Sequence, residues 1–168
     1  NISSCPDSLR KIANTFQSGF VEPSIISSDA SLVIPAPSKW LFGILQSRIH
    51  MAWVKYVCGR LESRYRYSAN IVYNNFPWKQ LDEEQKKAIE NTATEILEAR
   101  KADASSLASQ YDLLKGRLSK AHKENDKVVA KAYDIDLSMS DEEIALELMR
   151  QSVKLAKSKE KKKIKRKI

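Results

Sequence analysis

Residues 60–67 form a dense basic and aromatic stretch, with the sequence Arg60, Leu61, Glu62, Ser63, Arg64, Tyr65, Arg66 and Tyr67. If the run is extended, period-two alternation puts its charged even-numbered positions on one face and Leu61, Tyr65 and Tyr67 on the other. Arginine can donate two hydrogen bonds to guanine, and glutamate can accept one from cytosine. The pattern therefore predicts a strip that can contact a G·C base pair. The alternative is a solvated face of ion pairs packed by the tyrosines.

The charge of the chain is distributed unevenly along it. Its formal net charge of +8 comes from 29 basic and 21 acidic residues. The tail 154–168 holds nine basic residues and one acidic residue, residues 1–75 hold eight and four, and residues 76–153 hold twelve and sixteen. We therefore expect a phosphate-facing surface on the first part, where Arg48 and Lys55 can add phosphate contacts. The tail is expected to be solvated and to add non-specific phosphate affinity.

Few residues are arranged for other chemistry. Cys5, Cys58, His50 and His122 lack the spacing of metal ligands, so no metal site is expected, and both histidines are predicted to be hydrogen-bonded structural residues. The sequence has four glycines and none of the glycine-rich nucleotide or nucleophile motifs. No catalytic residue is predicted within the chain.

The segment Asn75-Phe76-Pro77-Trp78 needs a separate interpretation because it resembles the Asn-Pro-Pro-Tyr loop of amino-group DNA methyltransferases. In that loop the aromatic ring stacks on a flipped base. Here Phe76 replaces the first proline, and no glycine-rich cofactor turn precedes the segment. The favoured interpretation is a loop whose Phe76 and Trp78 anchor the later helices to the first part of the chain.

Elements that could position the strip are readable from local patterns. Residues 1–38 are rich in Ser and Pro and predict short strands joined by turns. Helical spacing of apolar residues predicts one long helix over 39–58, with Ser38 as its N-cap. Residues 65–78 are predicted to be extended and then looped. After Pro77 the composition changes to Ala, Glu, Lys and Leu, which is typical of helices.

The later helices begin at recognisable caps. Asp82 with Gln85, and Ser140 with Glu143, have the spacing of capping boxes, and each predicts the start of a helix. The predicted fold class is a mostly helical α+β fold, in which short strands and one long helix precede a helical bundle. Because the chain begins at Asn1 without methionine, we also expect it to be part of a longer polypeptide.

Three blocks of this sequence resemble the C-terminal part of the MmeI-like, or YeeA-type, DNA methylases, which are single-chain type II restriction-modification proteins. The blocks are residues 50–54 (HMAWV), 58–68 (CGRLESRYRYS) and 71–78 (IVYNNFPW). Shorter similarities extend the resemblance from about Phe20 to Tyr133. It implies the end of a target recognition domain over 1–78 and a helical domain over 79–153, whereas the basic tail over 154–168 lies outside the resemblance.

The resemblance also implies a function. The chain would bind double-stranded DNA and give sequence specificity to an adenine-specific methyltransferase, with S-adenosylmethionine bound by an upstream domain and no cofactor in this chain. Glu62 and Arg64 match positions where the family reads a base pair. Residues in DNA-backbone or supporting roles would be Arg60, Arg66, Tyr67, Ser68, Lys55 and Arg48. The alternative is a structural cap that docks on the methyltransferase domain without touching DNA.

The remaining expectations concern location. No apolar run approaches the length of about 18 residues that a membrane span needs, and no signal peptide is recognisable. Two cysteines in unrelated contexts fit a reducing compartment. We therefore expect a cytoplasmic protein without a membrane partner.

Overall fold

A computed structural model describes residues 2–4, 18–21, 24, 32–61 and 64–165 of the 168-residue chain. The described part is mostly helical with short strands, which confirms the predicted α+β class. In chain order the elements are β1 (Ile2–Ser4), β2 (Ser18–Phe20), β3 (Val33–Ile34), α1 (Lys39–Leu45), α2 (Arg48–Val57), β4 (Gly59–Leu61), β5 (Arg64–Arg66), a π-helix (Ala69–Tyr73), α3 (Glu83–Lys101), α4 (Leu107–Leu113), α5 (Gly116–Tyr133) and α6 (Asp141–Lys165).

The first three strands form one small antiparallel sheet in the order β2-β1-β3. Ile2 lies opposite Phe20 in one pairing and opposite Ile34 in the other. These strands have two or three residues each, as the proline-punctuated sequence predicts. The sheet therefore contributes little backbone pairing, and packing on the helices has to supply most of the stability of this region.

The single long helix predicted over 39–58 is wrong, because the structure has two helices that are interrupted at Gln46 and Ser47. The Ser47 hydroxyl donates to the carbonyl oxygen of Ile44 at 2.7 Å and accepts from the backbone N–H of His50 at 3.3 Å. One side chain thus satisfies a carbonyl at the end of α1 and an amide at the start of α2. These two hydrogen bonds offset the cost of interrupting the helix within an apolar pattern that is otherwise helical.

Residues 65–78 match the sequence prediction only in part. The extended piece is β5, and the turn at Asn74 and Asn75 is present. Between them, however, residues 69–73 form a π-helix in which Asn74 N donates to the carbonyl oxygen of Ala69 at 2.8 Å. A π-helix is rare and often marks a functional region.

The caps predicted for the later helices are confirmed. Gln85 N donates to the Asp82 carboxylate at 2.7 Å, while Asp82 N donates to the Gln85 side chain at 3.1 Å. Glu143 N donates to the Ser140 hydroxyl at 3.2 Å, and Ser140 N donates to the Glu143 carboxylate at 2.8 Å. The helix that starts at this second box does not end near residue 153 but continues through Lys165.

Helices α1 and α2 pack directly against α3, α5 and α6. A single core cluster combines side chains from α1, α2 and the π-helix with side chains from α3, α5 and α6. At Gly43 the backbones come especially close, and Asn125 Nδ2 donates to its carbonyl oxygen at 2.8 Å. The two regions on either side of residue 78 thus share one core, and this core fixes the position of α2.

Candidate nucleic-acid interface

Helix α2 leads directly into a β-hairpin, which we call the hairpin (Gly59–Arg66). Its strands β4 and β5 pair antiparallel, with Arg60 opposite Tyr65 and Leu61 opposite Arg64. Glu62 and Ser63 lie outside the described residues, and Arg64 is described through its backbone only. Of the two predicted base-reading residues, Glu62 is therefore not located by the structure, and Arg64 is the first residue of β5.

The register of the hairpin sets which side chains share a face. Residues directly opposite each other in an antiparallel pair project from the same side. Arg60 therefore shares a face with Tyr65, and its Cζ atom lies 5.0 Å from the centroid of the Tyr65 ring. Position 64 shares the other face with Arg66 and with Gly59, the residue opposite Arg66.

The predicted strip, with Arg60 on the same face as Arg64 and Arg66, is wrong. Alternation holds within one strand, but the chain reverses between residues 61 and 64. The pairing of even with odd positions then moves Arg60 to the opposite face from the two later arginines. The face that carries positions 64 and 66 therefore has two arginine positions instead of the three that were predicted.

Burial distinguishes the two faces of the hairpin. Tyr65 is half-buried and packs against the main core cluster, whereas Arg66 is exposed. The face of Tyr65 is thus the one directed to the protein, although Arg60 itself is exposed at its edge. The face of positions 64 and 66 is directed away from the core and is the side on which a ligand can approach.

Tyr67 and Ser68 secure the end of the hairpin. Tyr67 is buried, and its hydroxyl lies 3.1 Å from His50 Nε2 on α2. Burial raises the pKa of Tyr67 and lowers the pKa of His50 to about 3, so both groups are neutral near pH 7. The carbonyl oxygen of Ser68 accepts from Val72 N at 2.8 Å and from Tyr73 N at 3.4 Å, and the second bond, which spans five residues, begins the π-helix. These contacts give Tyr67 and Ser68 supporting positions, and they confirm a structural role for His50.

Arg48 and Lys55, predicted to touch phosphates, both reach Asp141 at the start of α6. Arg48 Nε donates to Asp141 at 2.9 Å, and its two terminal nitrogens donate to the carbonyl oxygens of Leu137 and Met139, each at 2.8 Å. Lys55 Nζ donates to the second carboxylate oxygen. We call this group the α2–α6 clasp. Contact of either cation with DNA stays a prediction, but the clasp gives both of them a use within the chain.

Asp141 was not singled out by the sequence, because a first-turn acid in a helix is ordinarily explained by the helix dipole. Partial burial alone would raise the pKa of its carboxyl group. The hydrogen bonds and charges of Lys55 and Arg48 oppose that effect and hold the pKa below its usual value. Asp141 is thus ionised near pH 7 and neutralises part of the charge on α2.

A second connection between the two regions, also missed in the sequence, centres on the buried guanidinium of Arg100. Its Nη1 donates to the carbonyl oxygen of Ser18, and its Nη2 donates to Gln46 Oε1, each at 2.7 Å. Nε donates to the Tyr111 hydroxyl at 3.0 Å, and that hydroxyl lies 2.7 Å from His122 Nε2. The burial of Arg100 could have been predicted from its helical spacing with the apolar residues Ile89, Ala93 and Ile96.

Burial and the nearby charge of Arg100 lower the pKa of His122 to about 4, against a raising effect of the Gln46 carbonyl. His122 is therefore neutral near pH 7, which avoids a second positive charge beside the guanidinium. The hydrogen bond to Tyr111 confirms the predicted structural role of His122. The cluster fixes β2 and the junction of α1 and α2 onto α3, α4 and α5.

The segment Asn75–Trp78 is an anchor, as predicted. Phe76 is 3% exposed, and its ring centroid lies 4.7 Å from that of Trp78, 5.2 Å from that of His50 and 5.6 Å from that of Tyr133. Asn75 Nδ2 donates to two carbonyl oxygens of the π-helix, each at 2.9 Å. Trp78, which occupies the position of the stacking ring in the methyltransferase loop, is half-buried, and its Nε1 donates to the carbonyl oxygen of Tyr73 at 2.9 Å. Its ring also packs on Tyr73 and Phe76, so the segment is used for contacts within the chain.

Other kinds of site are not apparent in the described part of the chain. No group of three His, Cys, Asp or Glu side chains there is placed to hold a metal ion. Burial raises the pKa of the Cys58 thiol to about 11 against the lowering effect of Arg60, so the thiol is unreactive near pH 7. Among the described helices none is long and apolar enough to cross a membrane.

The hairpin, its supporting tyrosine and the helices that hold α2 define a recognition region joined to a helical domain, and comparisons with known proteins agree. The family model described as "MmeI, target recognition domain" matches residues 15–80, and the model "MmeI, C-terminal domain" matches residues 81–159. The chain belongs to the MmeI family and comprises these two parts of it.

Individual relatives support this assignment. DNA methyltransferase A of Bacillus subtilis (strain 168) is 40% identical over 127 residues, which is 74% of this chain and 14% of the relative. The solved structure of the type IIL restriction-modification enzyme MmeI in complex with DNA matches with a TM-score of 0.87 and 38% identity, covering 93% of this chain and 21% of that chain. The chain thus spans about a fifth or less of the length of these relatives.

Proposed function

We propose that this chain supplies the DNA sequence specificity of a restriction-modification enzyme, and that the hairpin is the part that reads bases. The observation that carries the proposal is the register of the hairpin, which puts positions 64 and 66 on the face directed away from the core. The similarity to a solved enzyme in complex with DNA supports the same conclusion. The substrate would be double-stranded DNA.

The base-reading residues in this proposal are Glu62 and Arg64. Arg64 is the first residue of β5, and Glu62 precedes it by two positions in the sequence. A hairpin is narrow enough to enter the major groove, where arginine recognises guanine and glutamate recognises cytosine. Arg66 shares the face of position 64 and adds positive charge behind it. Arg60 contributes charge from the opposite face.

The helical domain has the role of a brace. The α2–α6 clasp and the Arg100 cluster tie α1 and α2 to α3–α6, and the hairpin continues from the end of α2. A base contact requires placement to about half an ångström, which side chains on a rigid support provide better than those on a free loop. In this function Arg48, Lys55 and Tyr67 support the hairpin, and any phosphate contact by Arg48 or Lys55 is secondary.

The catalytic step would take place elsewhere in the parent polypeptide. We propose an upstream adenine-specific methyltransferase domain as the intramolecular partner, which would bind S-adenosylmethionine. Within the described residues, the segment with some likeness to a methyltransferase loop has Trp78 at the position of the stacking ring. Asn75 and Trp78 both donate to carbonyl oxygens of the π-helix, which supports a packing role for the segment. This chain would be non-catalytic, and a cytoplasmic location belongs to the same proposal.

The test compares the sequence preferences of the unaltered chain, Arg64→Ala and Glu62→Gln by selection from a library of random duplexes at low salt. Each variant is expected to relax preference at one base pair, at a cost of about 1–3 kcal/mol for the preferred base. Arg117→Ala is the matched control, because Arg117 is an exposed arginine on α5, 60% accessible in its side chain. It should leave the preference unchanged.

Two results would contradict the proposal in different ways. Equal weakening on all sequences by Arg64→Ala would reduce this residue to a phosphate contact. No binding by the unaltered chain to any duplex at low salt would favour the structural cap, in which the helical region docks on the rest of the enzyme. The acidic excess of residues 76–153 and the internal use of Arg48 and Lys55 are the observations that favour this second function.

A further inference from the structure

We propose that the last part of α6, residues 154–165, binds the phosphate backbone of duplex DNA next to the base pairs that the hairpin reads. We call this segment the lysine helix. The inference rests on the proposed function and extends it, because it assigns a second DNA contact to the C-terminal domain. It concerns affinity and footprint, and it makes no claim on base preference.

The charges of α6 are segregated along the helix. Its first two turns, 141–147, contain four acidic residues and no basic residue. The lysine helix contains seven lysines and one glutamate. The sequence alone suggested a tail leaving the domain, but the backbone remains helical through Lys165. The positive charge is thus carried on an extended rod rather than on a free chain, at a rise of about 1.5 Å per residue.

Two contacts set where this rod leaves the domain. Gln151 Nε2 donates to the carbonyl oxygen of Tyr133 at 3.1 Å, and Ser152 Oγ donates to the carbonyl oxygen of Asn75 at 3.1 Å. Asn75 belongs to the turn that closes the π-helix, and the π-helix directly follows the hairpin in the chain. The lysine helix therefore begins beside the segment that continues from the base reader.

The side chains at the start of the lysine helix are available to a ligand. Lys154 and Lys157 are exposed, and among the described residues no carboxylate forms an ion pair with either of them. Helical spacing places positions 154, 157, 161 and 165 along one side of the helix, over a length of about 16 Å. Lys154 and Lys157 are exposed, whereas Ile144 and Leu148 earlier on the same helix are buried. A row of cations of this length matches several successive phosphates of a duplex.

An acidic surface on the methyltransferase domain could also attract such a row. DNA is favoured because the row is continuous, carries almost no acidic residue, and starts beside the segment that follows the hairpin. A protein partner of this helix would be expected to bind apolar side chains as well, and from position 154 to 165 only Leu155, Ala156 and Ile164 are apolar.

The experiment measures binding of the full chain to a duplex of arbitrary sequence by fluorescence anisotropy between 50 and 200 mM KCl. The test variant changes Lys154, Lys157, Lys161 and Lys165 to Gln. The matched control changes four exposed lysines on α3 and α5 to Gln, namely Lys87, Lys101, Lys120 and Lys131. Both variants lose the same charge. The far-ultraviolet circular dichroism of each variant reports whether its helices remain formed.

The test variant is expected to lower the slope of log K against log salt by about 3 to 4, since each phosphate contact contributes about 0.9. The control should change the slope by less than about 0.9, which is the value of one phosphate contact. Equal changes in both variants would mean a general charge effect and would overturn the inference. An unchanged slope in the test variant would also overturn it, and weaker binding of that variant to the separately produced methyltransferase domain would assign the helix to a protein contact.

The proposed function can fail separately. If Arg64→Ala relaxes base preference while the lysine-helix variant has no effect, base reading by the hairpin is supported and only the inference about the lysine helix is contradicted. If the lysine-helix variant lowers the slope but Arg64→Ala weakens binding equally on all sequences, the reverse holds.

Discussion

Arg60 and Tyr65 face each other across the hairpin, with the guanidinium carbon 5.0 Å from the centroid of the ring. Such a contact between a cation and an aromatic face is worth about 0.5–1 kcal/mol at an exposed site. It holds Arg60 along the protein-facing side of the hairpin. Positions 64 and 66 lie on the other side, so Arg60 and Arg66 have different surroundings.

A first prediction follows from these two faces. Arg66→Gln should weaken DNA binding several-fold more than Arg60→Gln, because Arg66 is on the face that we propose approaches DNA, whereas Arg60 is on the face of Tyr65. Both changes remove one positive charge, so each is the control for the other. Binding isotherms on one duplex at fixed salt measure the difference. Equal losses would mean that only net charge matters and that the register has no functional consequence.

A second prediction concerns the α2–α6 clasp. Asp141→Asn should lower the free energy of unfolding by about 1–2 kcal/mol at pH 7, because it removes the shared acceptor of Arg48 and Lys55. Denaturant unfolding measures this value. Asp112 is exposed and provides the control. Asp112→Asn should change the free energy of unfolding by less than about 0.5 kcal/mol, as is typical of surface substitutions.

The same carboxylate gives the effect a defined pH dependence. The pKa of Asp141 is lower in the folded chain, so its contribution is fully present above the ordinary carboxyl pKa of about 4 and is lost as the pH falls through the folded value. The difference between the unaltered chain and Asp141→Asn should therefore shrink below about pH 4. A difference that stays constant down to pH 2 would contradict this assignment.

A third prediction concerns the Arg100 cluster. Arg100→Met should destabilise the fold by about 2–4 kcal/mol, because the carbonyl oxygen of Ser18, the Gln46 side chain and the Tyr111 hydroxyl lose their buried donor. The control is Arg117→Met on the surface. Thermal unfolding followed by circular dichroism compares them. Similar midpoints for the two variants would show that the cluster carries no net stability.

A fourth prediction uses the two buried histidines. Their pKa values are lowered, to about 3 for His50 and about 4 for His122, so the unfolded chain binds more protons than the folded chain between those values and about 6.5. The free energy of unfolding should fall as the pH is lowered through this window, by up to about 1.4 kcal/mol per pH unit for each histidine. His122→Gln should make the dependence shallower.

Asp126 opposes this trend. Burial raises its pKa to about 6, against the lowering effects of the Arg48 backbone N–H and charge. The folded chain then holds the extra proton between about pH 4 and 6, and stability from this group falls as the pH rises through that range. Asp126→Asn should therefore steepen the acid destabilisation by the histidines. A shallower curve in that variant would contradict the assignment.

A fifth prediction concerns the close approach at Gly43. A Cβ atom there would lie 2.5 Å from Ile89 Cγ2 and 3.1 Å from Asn125 Oδ1. Gly43→Ala is expected to destabilise the fold by about 1–3 kcal/mol through overpacking between α1, α3 and α5. Gly19→Ala is the control, because no heavy atom lies within 4 Å of a Cβ at that position. Urea unfolding of both variants gives the comparison.

Local rules predicted much of this fold, since helix caps and apolar periodicity depend on neighbours in sequence. The boxes at Asp82 and Ser140 are examples. Ser47 shows the limit: its hydroxyl ends one helix and starts the next, but the break is stabilised by Gln46 reaching Arg100, 54 residues away. Such long-range partners have no signature in a single sequence.

The candidate site was predictable in composition but not in geometry. The residues at 60–67 have the right chemistry for a nucleic acid, yet alternation assumed a single strand, and the reversal after Leu61 changed which of them share a face. Arg48 and Lys55 have the charge for phosphate contacts, but their partner Asp141 is distant in sequence. Periodicity describes one element at a time, whereas these contacts join different elements.

The fixed ends of the hairpin have a consequence for how this family could diversify. Tyr67 holds one end of the hairpin and α2 holds the other, so the strands cannot slide to absorb an added residue. A residue inserted between positions 61 and 64 would have to lengthen the connection between the two strands, next to the position proposed to read bases, whereas a substitution leaves the framework intact. New target sites would then arise through point changes on a constant frame, with insertions and deletions selected against at this position.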